Sequence, residues 1–330
     1  MAHFGNDSRD LTLLAEAAAW PELQELDQLT PEAMQDIASQ QGIDFATALL
    51  FDRLRRSKRH GATIAAFESI DPDEPLSPFN QPTLLAIVPG AFYRESPHTG
   101  ADGKLLRDEA AQLGIRTELV PVGSFGTLAG NAQIIRDWLL RRQDQQVVLV
   151  SLSKGGAEVM RALAAEDAPR VFSPVAVWVN LSGITEYSPL ADWLLRQKLR
   201  TQCIRLWFWW RGYDFNVVRD FARSEQVPWK LPHGLRTFHV VGIPLCRHLS
   251  TPLACRGHRR LAPLGPNDAG GNLLAEVVRR PGEILPVWGA DHYLQPKKES
   301  PSRLIRRVLH HACRFSAPPA AQPPLAGANS

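Results

Sequence analysis

The stretch "QQVVLVSLSKGGAEVM" (residues 145–160) decides the fold of this chain. Residues 147–150 are four apolar β-formers, and the small-residue run Ser151-Leu152-Ser153-Lys154-Gly155-Gly156 follows them directly. A helical pattern begins after this run. We therefore predict a buried strand that turns sharply into a helix, with small residues that let one serine hydroxyl be raised above the end of the strand.

The same alternation continues on both sides of this stretch. Further short apolar runs, each expected to form a strand covered on both faces, occur at residues 83–90, 116–122, 175–183, 237–245 and 283–289. Helical patterns separate most of them, although a loop-rich stretch is expected before the last strand. We predict the α/β class, with a mostly parallel central sheet and helices on both faces.

The remaining segments suggest additions to this core. Residues 1–82 are predicted to form an N-terminal helical extension and a proline-rich linker, in which Thr30, Pro31 and Gly42 mark the two ends of a helix. Residues 83–184 and 237–315 would form the core, and residues 185–236 a Trp-rich helical cap. The Pro- and Ala-rich residues 316–330 are expected to be a disordered tail.

Composition limits the classes of function. The chain has 330 residues and a net charge of only +3, which does not point to nucleic acid or to an anionic membrane as a partner. Four scattered cysteines lack zinc spacing and are expected to be reduced or buried thiols. No secretory signal or membrane-spanning run is visible, so we expect a cytoplasmic location and no stable membrane insertion. The oligomeric state is left open.

The turn at Ser153 resembles the G-x-S-x-G nucleophile elbow of α/β-hydrolases, with Ser151 in place of the first glycine. The backbone of the nucleophile is strained there, so the residues two before and two after it must be small. Ser151 and Gly155 meet that demand. The resemblance implies that Ser153 is a nucleophile and that the N–H of Lys154 helps to hold an oxyanion.

A second motif, "AIVPGAF" (residues 86–92), resembles the His-Gly-x oxyanion turn of this family, with Pro89 in place of the histidine. By that alignment the N–H of Ala91 is an oxyanion donor and the N–H of Phe92 is a second candidate. A plain Pro-Gly turn that ends a strand is the alternative interpretation.

The family's general base and acid also have candidates. His292 in "PVWGADHYL" (residues 286–294) follows the last strand, and Asp268 in "LGPNDAGGN" (residues 264–272) precedes it, so that the order Ser, Asp, His is that of the family. Asp268 is otherwise a turn aspartate. Glu186 and Asp192, after the fourth strand, are alternative candidates for the acid.

Competing patterns are weaker. Ser151 and Lys154 satisfy S-x-x-K, the pattern of penicillin-binding proteins, but Ser151 is expected on a strand, and we expect the Lys154 ammonium in solvent. Residues 123–130, "GSFGTLAG", lack the ending of a phosphate loop and are expected to cap the next helix. We expect Asp291 in a local turn, and we expect His239, His310 and His311 to be structural. His248 and His258 lie in a basic loop, and contact with substrate is a minor alternative for them.

The run Trp207-Phe208-Trp209-Trp210 has two interpretations. Four adjacent aromatic residues cannot all face one side of a helix, so some must be exposed to a ligand, a partner or a lipid surface. One interpretation is a cap that lines an acyl pocket, with Trp207 and Trp210 binding the substrate. The other is internal packing of a small helical cap.

Together these expectations describe a serine hydrolase that cleaves carboxylic esters of short to medium acyl chains through an acyl-enzyme on Ser153. The partner would be a small-molecule ester, and no cofactor or metal is implied. A lactonase (acting, for example, on acyl-homoserine lactones), a thioesterase or an amidase could use the same residues. A non-catalytic protein of this fold that binds a ligand through its cap is the alternative from another class.

Overall fold

One six-stranded parallel sheet organises the molecule. The computed structural model describes residues 8–76, 83–184, 187–222, 229–296 and 299–315. The strands are β1 (Thr83–Val88), β2 (Arg116–Leu119), β3 (Gln146–Leu152), β4 (Val175–Leu181), β5 (Arg236–Ile243) and β6 (Glu283–Trp288). Their order in the sheet is β2-β1-β3-β4-β5-β6, and every neighbouring pair is parallel.

Helices precede, connect and follow the strands. In the described part of the chain they are α1 (Ser8–Ala19), α2 (Pro31–Gln41), α3 (Ile43–Arg56), α4 (Gly61–Glu68), α5 (Lys104–Gln112), α6 (Leu128–Leu140), α7 (Lys154–Leu163), α8 (Ala168–Val171), α9 (Pro189–Arg196), α10 (Lys198–Arg211), α11 (Asn216–Ala222), α12 (Pro252–Leu261), α13 (Leu274–Val277) and α14 (Pro301–Phe315).

The strands are apolar throughout because both faces of the sheet are covered. In β1, Leu84, Ala86 and Val88 pack with α6 and α7 on one face. Leu85 and Ile87 point the other way and pack with α5 and α14. Successive side chains of a strand alternate between the faces, so double coverage requires a continuous apolar run. The predicted fold class, a parallel sheet with helices on both faces, is confirmed.

The first four helices share a core with the edge of the sheet. Leu49 and Leu50 of α3 belong to the same buried cluster as Ile243 of β5 and Trp288 of β6. As predicted, α2 begins at Pro31 after Thr30, whose hydroxyl accepts a hydrogen bond from the Ala33 N–H at 3.1 Å. Its last residue is followed by Gly42 at a φ of 91°.

Two buried charged residues fix the N-terminal segment. The guanidinium of Arg53 on α3 donates to four main-chain carbonyls of the segment that ends α1 and follows it, those of Ala17, Trp20, Glu22 and Leu23. Asp10 on α1 is fully buried and accepts a hydrogen bond from the indole N–H of Trp288 at 2.9 Å. The residues before the predicted core are therefore joined to its last strand.

One prediction about the elements is wrong. The stretch between β5 and β6 was expected to be rich in loops, but it contains α12, capped by the Thr251 hydroxyl, which accepts from the Ala254 N–H at 3.0 Å. Few apolar residues mark this helix, because its buried face includes Gly257 and His258. The predicted tail, residues 316–330, and residues 77–82 of the predicted linker lie outside the described part of the chain.

Candidate active site

The turn between β3 and α7 holds Ser153 in a strained conformation. Its φ is 48° and its ψ is −116°, a combination that costs energy for a residue with a side chain. A Cβ on Gly155 would lie 2.6 Å from the carbonyl oxygen of Val88, and one on Gly156 would lie 2.5 Å from Asn180 Oδ1. The small residues of the quoted stretch are thus required by space, and the Ser153 side chain is only half-buried.

Ser151 has a structural reason to be serine. Its buried hydroxyl accepts a hydrogen bond from the Trp178 indole and donates one to Asn180 Oδ1, both at 2.9 Å. Asn180 Nδ2 donates to His239 Nδ1 at 3.1 Å, and His239 Nε2 donates to the Pro281 carbonyl at 2.9 Å. Burial lowers the pKa of His239 to about 3, so this ring is neutral and its position is structural, as expected.

The structure brings Ser153, His292 and Asp268 into one hydrogen-bonded line. His292 follows β6, and its Nε2 is 2.9 Å from Ser153 Oγ. Its Nδ1 is 2.8 Å from Asp268 Oδ2. A carboxylate can only accept, so Nδ1 carries a proton and donates it to Asp268. In the neutral ring Nε2 is then an acceptor, directed at the Ser153 hydroxyl.

The loop around Asp268 saturates its carboxylate. Oδ1 accepts from the backbone N–H groups of Gly270, Gly271 and Asn272 at 2.9, 3.1 and 3.0 Å, and Oδ2 accepts from the Asn272 side chain at 2.7 Å as well as from His292. Burial alone would raise the pKa of Asp268, but the imidazole and these donors together lower it. The aspartate is therefore held ionised behind the histidine.

The charge of Asp268 also sets the basicity of His292. Burial alone would lower the pKa of the imidazole, but the adjacent Asp268 carboxylate, with a smaller contribution from Asp291, raises it above the ordinary value of 6.5. Asp291 itself accepts hydrogen bonds from the N–H and hydroxyl of Ser250, both at 2.7 Å, and from the Tyr293 N–H at 3.0 Å. It lies in a local turn, as expected.

The predicted oxyanion donors lie on two segments that meet at Ser153. A Cβ on Gly90 would lie 3.3 Å from the Ser153 Cβ, so the turn after β1 packs directly against the serine. Within the described residues, the N–H groups of Ala91, Phe92 and Lys154 donate to no protein acceptor. Phe92 has a φ of 64°. These N–H groups are available to an oxygen that arrives beside Ser153.

The side chain of Lys154 is not in solvent, contrary to expectation. It is 2% exposed and pairs with Glu158, one turn later on α7, while Asn131 Nδ2 donates to the same carboxylate oxygen at 2.6 Å. Burial lowers the pKa of Lys154 to about 7, although the charge of Asp220 opposes this. The spacing of four residues between Lys154 and Glu158 on a helix indicates an ion pair, but such pairs are more often exposed than buried.

Residues 123–130 cap α6, as predicted. The Thr127 hydroxyl accepts from the Gly130 N–H at 3.2 Å. Asn131 then bonds both the N–H and the carbonyl of Gly123, at 2.9 and 2.8 Å. These contacts tie the segment to the Lys154–Glu158 pair.

The S-x-x-K alternative fails, because Ser151 lies on β3 with its hydroxyl buried in the network described above.

The four adjacent aromatic residues face different ways. Phe208 is buried, whereas Trp209 and Trp210 are 76% and 72% exposed. Trp207 lies edge-on to Phe125 at 6.3 Å, and Phe125 in turn lies edge-on to Phe92 at 4.7 Å. Trp207 therefore belongs to a cluster of rings that reaches the predicted oxyanion turn. In the described part of the chain Trp210 shares no ring contact with this cluster.

The other candidate residues have separate positions. Asp192 accepts from the Tyr187 hydroxyl at 2.8 Å on α9, and Glu186 lies outside the described residues. His248 and His258 are buried, which argues against the minor alternative that substrate contacts them. His248 Nδ1 accepts from the Leu245 N–H at 3.1 Å. Two further histidines, His310 and His311, are buried on α14, in agreement with a structural role.

Two supports of Asp268 are not predicted by any sequence motif. The buried guanidinium of Arg280 donates to Asn272 Oδ1 at 3.3 Å and to the Gly183 carbonyl at 3.2 Å, and so holds the amide that donates to Asp268. Burial lowers the pKa of Arg280 to about 10, at which it remains charged near neutral pH. Gly270 packs against the ring of His292. Gly270 and Asn272 lie within the quoted stretch 264–272, but that pattern does not indicate these contacts, and Arg280 lies outside it.

Comparisons with known proteins agree on the fold. No protein-family model and no curated protein matches the chain. The structure is similar to that of a metagenomic carboxyl esterase, with 18% identity, a TM-score of 0.51 and coverage of 92% of this chain and 98% of the esterase. It is also similar to the mature form of a Bacillus licheniformis lipase, with 18% identity, a TM-score of 0.50 and coverage of 66% and 89%. At this identity the likeness shows the fold alone, and the expected α/β-hydrolase fold is confirmed.

Proposed function

We propose that this protein of the α/β-hydrolase fold is a serine hydrolase that cleaves carboxylic esters through an acyl-enzyme on Ser153. The observation that carries the proposal is the line from Ser153 Oγ through His292 to Asp268, with distances of 2.9 and 2.8 Å. The strained turn that presents Ser153 and the unpaired N–H groups beside it add independent support.

In the acylation step, Ser153 Oγ attacks the ester carbonyl carbon while His292 Nε2 takes the hydroxyl proton. Asp268 stabilises the imidazolium that forms. The carbonyl oxygen becomes an oxyanion and accepts hydrogen bonds from the N–H groups of Lys154 and Ala91, with Phe92 as a further donor. His292 then gives its proton to the alcohol oxygen as the carbon–oxygen bond breaks.

The deacylation step repeats this chemistry with water. His292 removes a proton from a water molecule, the hydroxide attacks the acyl carbonyl, and the proton passes to Ser153 Oγ as the carboxylic acid leaves. Every proton transfer in both steps uses the same nitrogen, Nε2.

The ring cluster supports an acyl chain of short to medium length. Phe92, Phe125 and Trp207 form a run of edge-on contacts that begins at the oxyanion turn, and apolar rings suit an acyl chain. Trp210 is 72% exposed, so it would contact an acyl chain only where the chain extends beyond these rings. Carboxyl esterase and lipase activities, named for the two similar structures, agree with this class. Lactones, thioesters and amides remain alternative substrates, since they share the chemistry of the same site.

A fluorophosphonate probe, which reacts with activated serines, tests the proposal. We expect one labelled site that Ser153→Ala abolishes and Ser151→Ala retains, because the Ser151 hydroxyl is buried. Turnover of p-nitrophenyl esters should follow the same pattern. Labelling that survives in Ser153→Ala would exclude Ser153 as the nucleophile. A folded protein that is never labelled would instead favour a non-catalytic, ligand-binding role. A panel of esters, lactones, thioesters and amides then assigns the substrate class.

A further inference from the structure

Helix α10 presents an apolar stripe to solvent. Leu199, Cys203, Leu206 and Trp210 recur at intervals of four, three and four residues, so they lie on one face of the helix. All four are exposed, and Leu199 reaches 85% exposure. The opposite face carries Phe208, which is buried in the ring cluster. The apolar side of this helix therefore has no partner in the described part of the chain.

Basic residues border the stripe on both sides. At 100° per residue, Lys198 and Arg205 lie along one edge, and Arg200 and Arg211 lie along the other. The helix contains no Asp or Glu, and in the described part of the chain none of these four side chains forms an ion pair with a carboxylate. The small net charge of the whole chain therefore conceals a local concentration of positive charge.

The basic surface continues onto a neighbouring helix. The guanidinium of Arg260 on α12 lies 3.9 Å from the centre of the Trp193 ring, and that of Arg200 on α10 lies 5.4 Å from the same ring. Arg256 and Arg259 of α12 are also exposed. The cationic groups of Arg200 on α10 and Arg260 on α12 therefore meet at the same ring of α9.

We propose that α10 is a docking surface for an anionic lipid bilayer. Apolar side chains between two rows of Lys and Arg, with tryptophans among them, suit a helix that lies flat at the boundary between headgroups and acyl chains. The basic rows would contact anionic headgroups. No helix in the described ranges is long and apolar enough to cross a membrane, and α10 has only 14 residues, so the contact is peripheral.

A second copy of this chain suits the surface less well. In a twofold pairing the same patch meets itself, so the basic rows of one α10 would face those of the other without an intervening carboxylate. A bilayer with anionic headgroups satisfies the apolar stripe and the basic rows together. The docked helix would cover the ring cluster, because Phe208, on the inner face of α10, lies 5.1 Å from Phe125, which in turn contacts Phe92 of the proposed oxyanion turn.

Vesicle sedimentation tests the docking separately from the proposed chemistry. The full chain with Ser153→Ala, which has no nucleophile, is mixed with vesicles of phosphatidylcholine that contain phosphatidylglycerol and with vesicles of phosphatidylcholine alone. We expect binding to the anionic vesicles, weaker binding to the neutral ones, and release by added salt because salt screens the basic rows. Absence of binding to the anionic vesicles would overturn the proposal whether or not Ser153 is catalytic.

Charge and apolar variants locate the contact. In the same background, Arg200→Glu/Arg205→Glu and Leu206→Glu/Trp210→Glu should each lower the vesicle partition coefficient by about tenfold or more. Two controls change similar residues elsewhere: Arg141→Glu, between α6 and β3, and Leu11→Glu, on α1. Circular dichroism checks that all variants fold.

Two results would contradict the assignment. One is equal loss of binding in the control variants and in the α10 variants. The other is a lipid-free dimer, measured by light scattering, that Leu206→Glu/Trp210→Glu dissociates, which would assign the stripe to a second copy.

Discussion

Gly270 lies against His292 so closely that a Cβ at position 270 would overlap the ring carbon Cγ of the imidazole. Gly270 has no positive φ, so space rather than backbone conformation requires the glycine. Its N–H also donates to Asp268 Oδ1 at 2.9 Å. One residue thus contacts both the proposed base and the proposed acid.

We expect Gly270→Ala to displace the imidazole and to lower kcat/KM for p-nitrophenyl esters by about 10²-fold, the size of effect that a misplacement of 1 Å can have. Ala269→Gly, one residue earlier, is the matched control. Ala269 has a φ of 72°, which glycine adopts without strain, so that variant should keep the parent rate. If Gly270→Ala had the parent rate, the imidazole would not need its present position.

Asp268→Asn should lower kcat by about 10⁴-fold, by analogy with the aspartate of serine proteases. The three N–H donors to Oδ1 hold the amide oxygen in that place, so the new NH₂ faces Nδ1 of His292 and favours the wrong tautomer. Asp192→Asn is the control, since Asp192 contacts Tyr187 on another helix. If Asp192→Asn strongly lowered kcat and Asp268→Asn did not, Asp192 rather than Asp268 would be the acid.

The rate should fall in acid as His292 becomes protonated. Below its pKa the imidazole already holds a proton on Nε2 and cannot take one from Ser153. Because Asp268 raises that pKa above 6.5, the midpoint of the acidic limb of kcat/KM should lie above pH 6.5. In Asp268→Asn the residual activity should show a midpoint at lower pH. If the midpoint of the acidic limb were the same in that variant as in the parent, the titrating group would not be His292.

Ser151→Gly, which restores the glycine of the elbow motif, should destabilise the protein. It leaves the Trp178 indole and Asn180 Oδ1 without their buried partner, at a cost of about 1–3 kcal/mol in the free energy of unfolding. Ser182→Ala is the control, because the buried Ser182 hydroxyl has no hydrogen-bond partner in the described part of the chain. Urea titrations measure both. If Ser151→Gly were as stable as the parent, the hydrogen bonds of Ser151 would not stabilise the fold.

Local patterns account for what could be predicted from the sequence. The strands follow from continuous apolar runs such as residues 147–150, and the ends of α2 follow from Thr30 and Gly42. The order of Ser153, Asp268 and His292 follows from the resemblance to α/β-hydrolases and not from a local pattern. Only the structure supplies the distances between their side chains, since Ser153 and His292 are 139 residues apart in the chain and Asp268 and His292 are 24 apart.

What could not be predicted depends on distant partners. The contact of Arg280 with the Gly183 carbonyl joins positions 97 residues apart, and no local pattern indicates it. The burial of Lys154 depends on Asn131 and Gly123 of another helix and its preceding turn. Helix α12 is not predicted from the sequence, because its buried face has too few apolar residues to show a helical period.

The hydrogen bond between Asp10 and Trp288 joins positions 278 residues apart. During synthesis α1 emerges long before β6, so the Asp10 carboxylate stays in water until the residues up to Trp288 have left the ribosome. Long-range closure of this kind slows folding and lengthens the time for which apolar surface is open to aggregation. The yield of folded protein in a cell should therefore depend on chaperones and on translation speed more strongly than the locally formed helices alone would suggest.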